Sequence, residues 1–129
     1  MKELSVRTTA RTQLVNITSQ VASAVAELDP GATLCHVFVP HTTAAVVINE
    51  AADPDVARDL AAAYQAMVPK IPFAHAEGNS DSHLLATLLG SSVTLPVDNG
   101  RIRLGTWQGV FFVDLDGPRS RRVWVSTGR

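Results

Sequence analysis

The sequence predicts a β-rich α+β fold, a single compact domain over residues 1–129 with about three helices packed on an antiparallel or mixed sheet. Three observations predict it. Short apolar runs of strand length recur along the chain. Only three stretches carry helical spacing, at 19–28, 53–67 and 81–89. The C-terminal third holds two turn signals, Asp98-Asn99-Gly100 and Asp116-Gly117-Pro118-Arg119, each flanked by strand-like residues.

The elements follow in order. Residues 3–8 and 12–17 read as short strands. Over 19–28, Val21, Val25 and Leu28 share one helical face, and Asp29-Pro30-Gly31 stops the helix. Residues 33–39 form a nearly continuous apolar run, the pattern of a strand covered on both faces. Pro40 and His41-Thr42-Thr43 break it, and Ala44–Ile48 resumes as a second strand. Asp53 suits a helix N-cap, Pro54 the first helical position and Asp55 the positive end of the dipole. Val56, Leu60, Ala63 and Met67 then line one face, and Pro69 and Pro72 end the helix. A loop over 69–80 leads to a short helix at 81–89, with Leu84, Leu85, Leu88 and Leu89 as its buried side and Gly90 as C-cap. Strands at 92–97 and 101–106 flank Asn99-Gly100, which accepts positive φ. Strands at 109–115 and 121–127 form a second pair around Asp116-Gly117-Pro118-Arg119.

Composition narrows the function classes. With 129 residues, 46% hydrophobic and 18% charged, the chain can bury a proper core. Eleven basic against 12 acidic residues give a net charge of −1, which lacks the excess a nucleic-acid module needs. The single cysteine, Cys35, excludes an intrachain disulfide and lies in an apolar run, as a buried thiol would. No apolar run suits a signal peptide or a membrane span, so a cytoplasmic location with no membrane partner is expected.

Three of the four histidines stand in polar, turn-like surroundings. His41 opens His41-Thr42-Thr43-Ala44-Ala45, directly after a buried strand. His75 precedes Glu77-Gly78-Asn79, and His83 follows Ser80-Asp81-Ser82 in a first helical turn. Neutral imidazole is the commonest transition-metal ligand, and three with one position open make a catalytic zinc arrangement. Against this, His41 also reads as a turn histidine beside backbone-bonding threonines, and Asn79 or Ser80 as a plain N-cap. Glu77, Asp81 and Asn79 could orient imidazoles. Asn49-Glu50 ends a strand with two polar groups, and Glu50 reads as a base, a ligand or a solvated strand end. His36 alternates with Leu34 and Phe38 and reads as structural or as a subunit contact. In Leu104-Gly105-Thr106-Trp107-Gln108-Gly109 the glycines signal a bulge or a close backbone approach. Trp107 there could floor a ring-binding pocket read by Gln108, or lie in the core. Arg119, Arg121 and Arg122 suit phosphate, or a solvated basic edge.

Together these segments resemble the YjbQ-like family, whose members are described as secondary thiamine-phosphate synthases. The likeness covers nearly the whole chain. Its carriers are Val37-Phe38-Val39-Pro40-His41-Thr42-Thr43-Ala44-Ala45, Ile48-Asn49-Glu50 with Asp53-Pro54-Asp55-Val56, His75-Ala76-Glu77-Gly78-Asn79, Ser82-His83-Leu84, Leu104-Gly105-Thr106-Trp107-Gln108 and Asp116-Gly117-Pro118-Arg119.

The resemblance implies an α+β homotrimer with a divalent metal, often zinc, held by His41, His75 and His83. It implies a reaction that joins a pyrimidine pyrophosphate to a thiazole phosphate and releases pyrophosphate, where magnesium could also serve. Glu50 and Asp81 are then candidates for proton handling. Thr42, Thr43, Asn49, Asn79, Ser80, Trp107, Gln108 and Arg119 are candidates for holding the phosphorylated substrate. The chain departs from the family where Phe73-Ala74-His75 replaces a common Tyr-Arg-His, which removes a basic group, and at Val113, where relatives often carry cysteine. Two other readings stand beside this one. A three-histidine metal activates water equally well, giving a hydrolase of small phosphorylated or other substrates. A non-catalytic trimeric metal- or ligand-binding protein fits the same pattern.

Overall fold

A computed structural model describes residues 1–129. Strands β1 (Lys2–Arg7) and β2 (Gln13–Asn16) lead to helix α1 (Thr18–Ala26). Val21, Ala24 and Val25 bury its inner face, while Leu28 falls beyond its end. Strands β3 (Leu34–Phe38) and β4 (Ala44–Glu50) precede helix α2 (Pro54–Ala66) and helix α3 (Ser80–Leu89). Strands β5 (Ser92–Asp98), β6 (Arg101–Ile102), β7 (Gln108–Asp114) and β8 (Ser120–Gly128) complete the chain.

The strands form two antiparallel sheets, one in the order β1-β8-β3-β5-β6 and one in the order β2-β7-β4. Strands β7 and β8, expected to pair with each other, instead cross between the sheets at the Asp116–Arg119 turn, β7 pairing with β2 and β4 and β8 with β1 and β3. Side chains alternate across a strand, so each sheet offers two faces. Val37 of β3, Val123 and Val125 of β8 and Leu95 of β5 meet Phe112 of β7, Val46 of β4 and Val21 of α1 in the main core. The other face of the three-stranded sheet carries Ala45 and Val113, which pack with Leu85 and Ala86 of α3. The three-stranded sheet is therefore the middle layer, with α2 and α3 on its outer side.

This layering corrects the reading of 33–39 as a strand covered on both faces. Cys35 and Val37 point inward, but Leu34, His36 and Phe38 stand exposed on the outer face of the five-stranded sheet. There the Phe38 ring stacks on Trp124 with centroids 5.8 Å apart. The strand buried on both faces is β7, where Gly109 through Asp114 are all buried.

Caps and turns form as their chemistry requires. Asp53 accepts a hydrogen bond from the Asp55 N–H at 2.9 Å, and Pro54 follows as first helical residue. Asn99 and Gly100 take φ of 50° and 75°, the pair a type I′ hairpin needs. The second strand of that hairpin pairs only over Arg101–Ile102, not over the expected 101–106, because the Gly105 loop turns away. Two helix faces also differ from expectation. Helix α2 has no buried residue, and Ala63 and Met67 are exposed while Ala57, Leu60, Ala61 and Tyr64 are half-buried. In α3, Leu85 is buried but Leu88 is exposed, since the helix lies along β4 on its Ser82–Leu85–Ala86 side. No helix is long and apolar enough to cross a membrane.

Candidate functional site

Chain breaks at Pro40 and at the start of α3 bring the predicted histidines to one end of the middle sheet. The first turn of α3 is fastened there by side chains. Ser82 Oγ donates to the Leu115 carbonyl, and Asn79 Nδ2 donates to Asp116 Oδ2 at 2.9 Å. Asn79 is the N-cap, yet its side chain makes no capping bond because Asp116 takes it. Its Oδ1 is buried without a partner. Arg11, which the sequence reading missed, reaches from the β1–β2 loop to Asp81 at 3.1 Å and to Asp116 at 3.3 Å. Only the fold joins residues 70 and 105 positions apart, so no local pattern could have revealed it.

On this support His83 meets His75. Their ring centroids lie 5.2 Å apart, edge to face. His75 Nδ1 is 3.2 Å from Ser80 Oγ, and its Nε2 faces Glu77 at 3.8 Å. The pair, with Phe73, Ala74 and Ser80, lines a hollow of about 430 Å³. His83 also lines a second hollow of about 350 Å³, opposite His41 and Thr42. The three histidines thus border two neighbouring hollows that share His83 as a wall.

His41 does not join the pair. The Arg122 N–H donates to His41 Nε2 at 3.0 Å, so that nitrogen bears the lone pair and the ring proton sits on Nδ1. Burial, then the charge of Arg121, lowers the pKa of this imidazole, which keeps it neutral. No group of three or more His, Cys, Asp or Glu side chains stands close enough to hold a metal within one chain. The expected convergence of His41, His75 and His83 is therefore corrected to a pair plus a separate third ring. His75 and His83 fit a metal as two ligands. His41 does not, because its acceptor nitrogen is committed to the backbone.

The other predicted residues divide. Asp81 is held by Arg11, and Arg119 bonds Asp116 at 3.3 Å. Thr43 is buried and accepts a hydrogen bond from Arg121 Nη2 at 2.8 Å, so it braces the interior, whereas Thr42 is exposed. Arg121 is no basic edge. It is 4% exposed and pairs with the fully buried Asp114 at 2.8 Å. Burial alone would raise the Asp114 pKa, but hydrogen bonds from Arg121, Thr8 and the Asp116 amide hold it below the ordinary value of 3.8.

Asn49, Glu50, Trp107 and Gln108 lie at the opposite end. Strands β4 and β7 pair from Ala44↔Asp114 to Glu50↔Gln108. Six strand steps separate these ends by about 20 Å. Trp107 floors no hollow and is 63% exposed. Gln108 folds back so that its Oε1 accepts from the Gly105 N–H at 2.8 Å, and this loop brace replaces the ring-reading role expected for it. The close approach expected at the glycines is real: a Cβ on Gly109 would stand 2.6 Å from Ala51 Cβ. Asn49 Oδ1 accepts from the Glu50 N–H at 2.7 Å, and the Glu50 carboxylate enters no ion pair.

A family profile described as "UPF0047 protein YjbQ-like" matches residues 2–128. The chain belongs to this family. It is 43% identical over 121 residues to UPF0047 protein MJ1081 of Methanocaldococcus jannaschii, covering 93% of this chain and 88% of that one. It is 39% identical over 129 residues to UPF0047 protein YugU of Bacillus subtilis, covering 97% and 96%. Among solved structures, a YjbQ/UPF0047 protein of Clostridium acetobutylicum superposes with a TM-score of 0.93 at 44% identity, over 98% of this chain and 99% of the other. The conserved hypothetical protein TT1486 of Thermus thermophilus gives 0.88 at 40% identity, over 98% and 99%. The YjbQ-like fold, with helices on antiparallel sheets, is thereby shared across these relatives.

Proposed function

We propose that this YjbQ-like protein is a metal-assisted enzyme acting on a small phosphorylated substrate. Its reaction is of the type that joins a pyrimidine pyrophosphate to a thiazole phosphate and releases pyrophosphate. The observation that carries this reading is the His75–His83 pair in its hollow. Two imidazoles that share a tetrahedral ion at ~2.1 Å stand with ring centres about 5 Å apart, and this pair stands at 5.2 Å.

His75, through Nε2, and His83 would hold the ion. The donor set favours zinc, while a pyrophosphate would bring the oxygens that magnesium prefers. A bound divalent ion supplies charge neutralisation at the departing pyrophosphate. The chain's own groups do the rest. Ser80 steadies the His75 ring, and Arg11 keeps the first turn of α3, hence His83, in register with the β7–β8 turn. Arg119 is half-exposed and can turn one face of its guanidinium to a phosphate while Asp116 holds the other. Exposed Thr42 and neutral His41, with its Nδ1–H, offer donors to substrate oxygens in the second hollow.

The test is elemental analysis of untagged protein together with product formation from the two phosphates, with and without added zinc or magnesium. We expect stoichiometric metal in the wild type and in His41→Ala, and its loss in His75→Ala and His83→Ala. Full occupancy in both of the latter variants would remove the site. Phosphate release from either substrate alone would move the reaction to hydrolysis. Bound metal with no turnover would make the chain a binding protein.

A further inference from the structure

Four strands stand at sheet edges, β1 and β6 in the larger sheet and β2 and β4 in the smaller. A bare edge invites pairing with another chain, and three of these four are protected. Strand β1 carries Lys2, Glu3 and Arg7. Strand β6 is two residues long. At β4 the Val46 N–H already donates to the Gly90 carbonyl at 3.2 Å. Strand β2, Gln13-Leu14-Val15-Asn16, has no charge, no proline and no second neighbour. Just past it, the Ile17 N–H donates to the Val110 carbonyl at 2.9 Å. Antiparallel bonding alternates along a strand, so Val15 and Gln13 bond to β7, while the N–H and C=O of Leu14 and Asn16 face away from it. No turn or loop backbone meets those outward groups.

Beside this edge lies the largest hollow of the molecule, about 480 Å³. It opens because α2 is pinned to β2 at one end only. Gln65 Nε2 donates to Thr12 Oγ1 at 2.6 Å, whereas the helix buries no residue fully. In the N-terminal half, Pro54, Ala57 and Ala61 face Leu14 and Phe111 across the gap. Small side chains stand there where a closed core would need large ones. Asn16 and Asp53 line the same hollow. Arg58 is taken by Asp55, but Asp53 and nearby Glu50 enter no ion pair. Unpaired amides and carbonyls call for another backbone, the apolar gap for side chains at every second residue, and the free carboxylates for a cation.

We infer that the β2 edge takes an extended peptide segment of a partner protein as an added strand. Apolar residues of that segment stand opposite Thr12 and Leu14 and enter the gap under α2. A lysine or arginine stands opposite Asn16 and meets Asp53. Main-chain bonds to Leu14 and Asn16 supply affinity, and the gap and the carboxylate select the sequence. Neither the histidine hollow nor a metal takes part, so the inference stands apart from the function proposed above.

The probe is a fluorescein-labelled peptide, Lys-Thr-Leu-Thr-Val-Thr, which places its three selected side chains opposite Asn16, Leu14 and Thr12 in antiparallel pairing. Anisotropy should show saturable binding to the full chain, and the amide resonances of Leu14 and Asn16 should shift. The same peptide with glutamate in place of lysine should bind about tenfold more weakly, since an attraction becomes a repulsion. Asp53→Asn, which keeps a good N-cap, should erase most of that difference. Leu14→Pro removes an outward N–H and spares the ladder, and should weaken binding about tenfold. Ala61→Phe fills the gap with the edge intact and should do the same, so the two variants test the edge and the gap separately. No saturation up to about 1 mM, equal affinity for both peptides, or unchanged affinity in both Leu14→Pro and Ala61→Phe would each overturn the inference. Sedimentation without peptide covers one rival occupant. A smaller assembly in Leu14→Pro than in the wild type would show that another copy of this chain already holds the edge, and would overturn it too.

Discussion

Asp114 and Arg121 show how a single pair of residues can fix the site end of this protein. Both charges are buried, and each is satisfied by groups from distant parts of the chain: Thr8 on Asp114, Thr43 on Arg121. Breaking such a pair by removing one partner leaves an uncompensated buried charge, at a cost of about 3–5 kcal/mol. Asp114→Ala should therefore lower the urea-unfolding free energy by about that amount, read at constant m. A loss under about 1 kcal/mol would mean that water reaches Arg121. Arg11 works at the same scale but nearer the surface. Arg11→Ala should leave the fold standing and weaken metal binding about 10- to 100-fold, as the loss of a group behind a ligand does. Arg11→Lys should recover part of it, because one of the two carboxylates keeps a cation. Titration of both variants with Co²⁺, followed by its visible absorption, separates these outcomes.

At the scale of elements, what could be read from the sequence was what local chemistry decides. Asp53-Pro54, Gly90 and Asn99-Gly100 mark ends and turns through bonds and φ angles within a few residues, and all of these signals hold. Which face of an element is buried depends on the layer it joins, and there the reading slipped. Residues 33–39 look nearly as apolar in sequence as β7 does, with His36 the one polar break after Thr33, yet only β7 lies between two layers. Helix α2 has the clearest periodicity and caps but buries nothing fully. Its stability rests on its own caps and a shallow contact with β2, so its amides should exchange with solvent well before those of β7, with α3 in between. Equal protection in hydrogen exchange would place α2 in the cooperative core. Gly109 is the reverse case. A strand glycine looks like a weakness, but Ala51 and Thr18 leave no room for a Cβ, so Gly109→Ala should cost about 1–3 kcal/mol through overpacking.

For the whole molecule, the half-buried His41 and the buried Asp114 at the site end couple folding to acid. The folded-state pKa of His41 is depressed by burial and then by Arg121, and that of Asp114 is depressed by its hydrogen bonds once burial is overcome. A group with a depressed folded pKa contributes stability that is present above its unfolded value and lost as pH falls through the folded one. The loss should come in two windows. The first opens as pH drops below 6.5, where the unfolded histidine takes a proton that the native ring, holding the Arg122 N–H at Nε2, refuses. The second opens below 3.8, where Asp114 must surrender its bonds with Arg121, Thr8 and the Asp116 amide. These linkages were invisible in the sequence, because His41 meets Arg122, and Asp114 meets Thr8, only across 81 and 106 positions. Urea unfolding of metal-free protein between pH 8 and pH 3 reads both windows. His41→Gln, whose side-chain oxygen can still accept the Arg122 N–H, should flatten the upper window and leave the lower one unchanged. A wild type with constant stability from pH 8 to pH 5 would show that His41 is not held neutral by its place beside Arg121 and the Arg122 N–H.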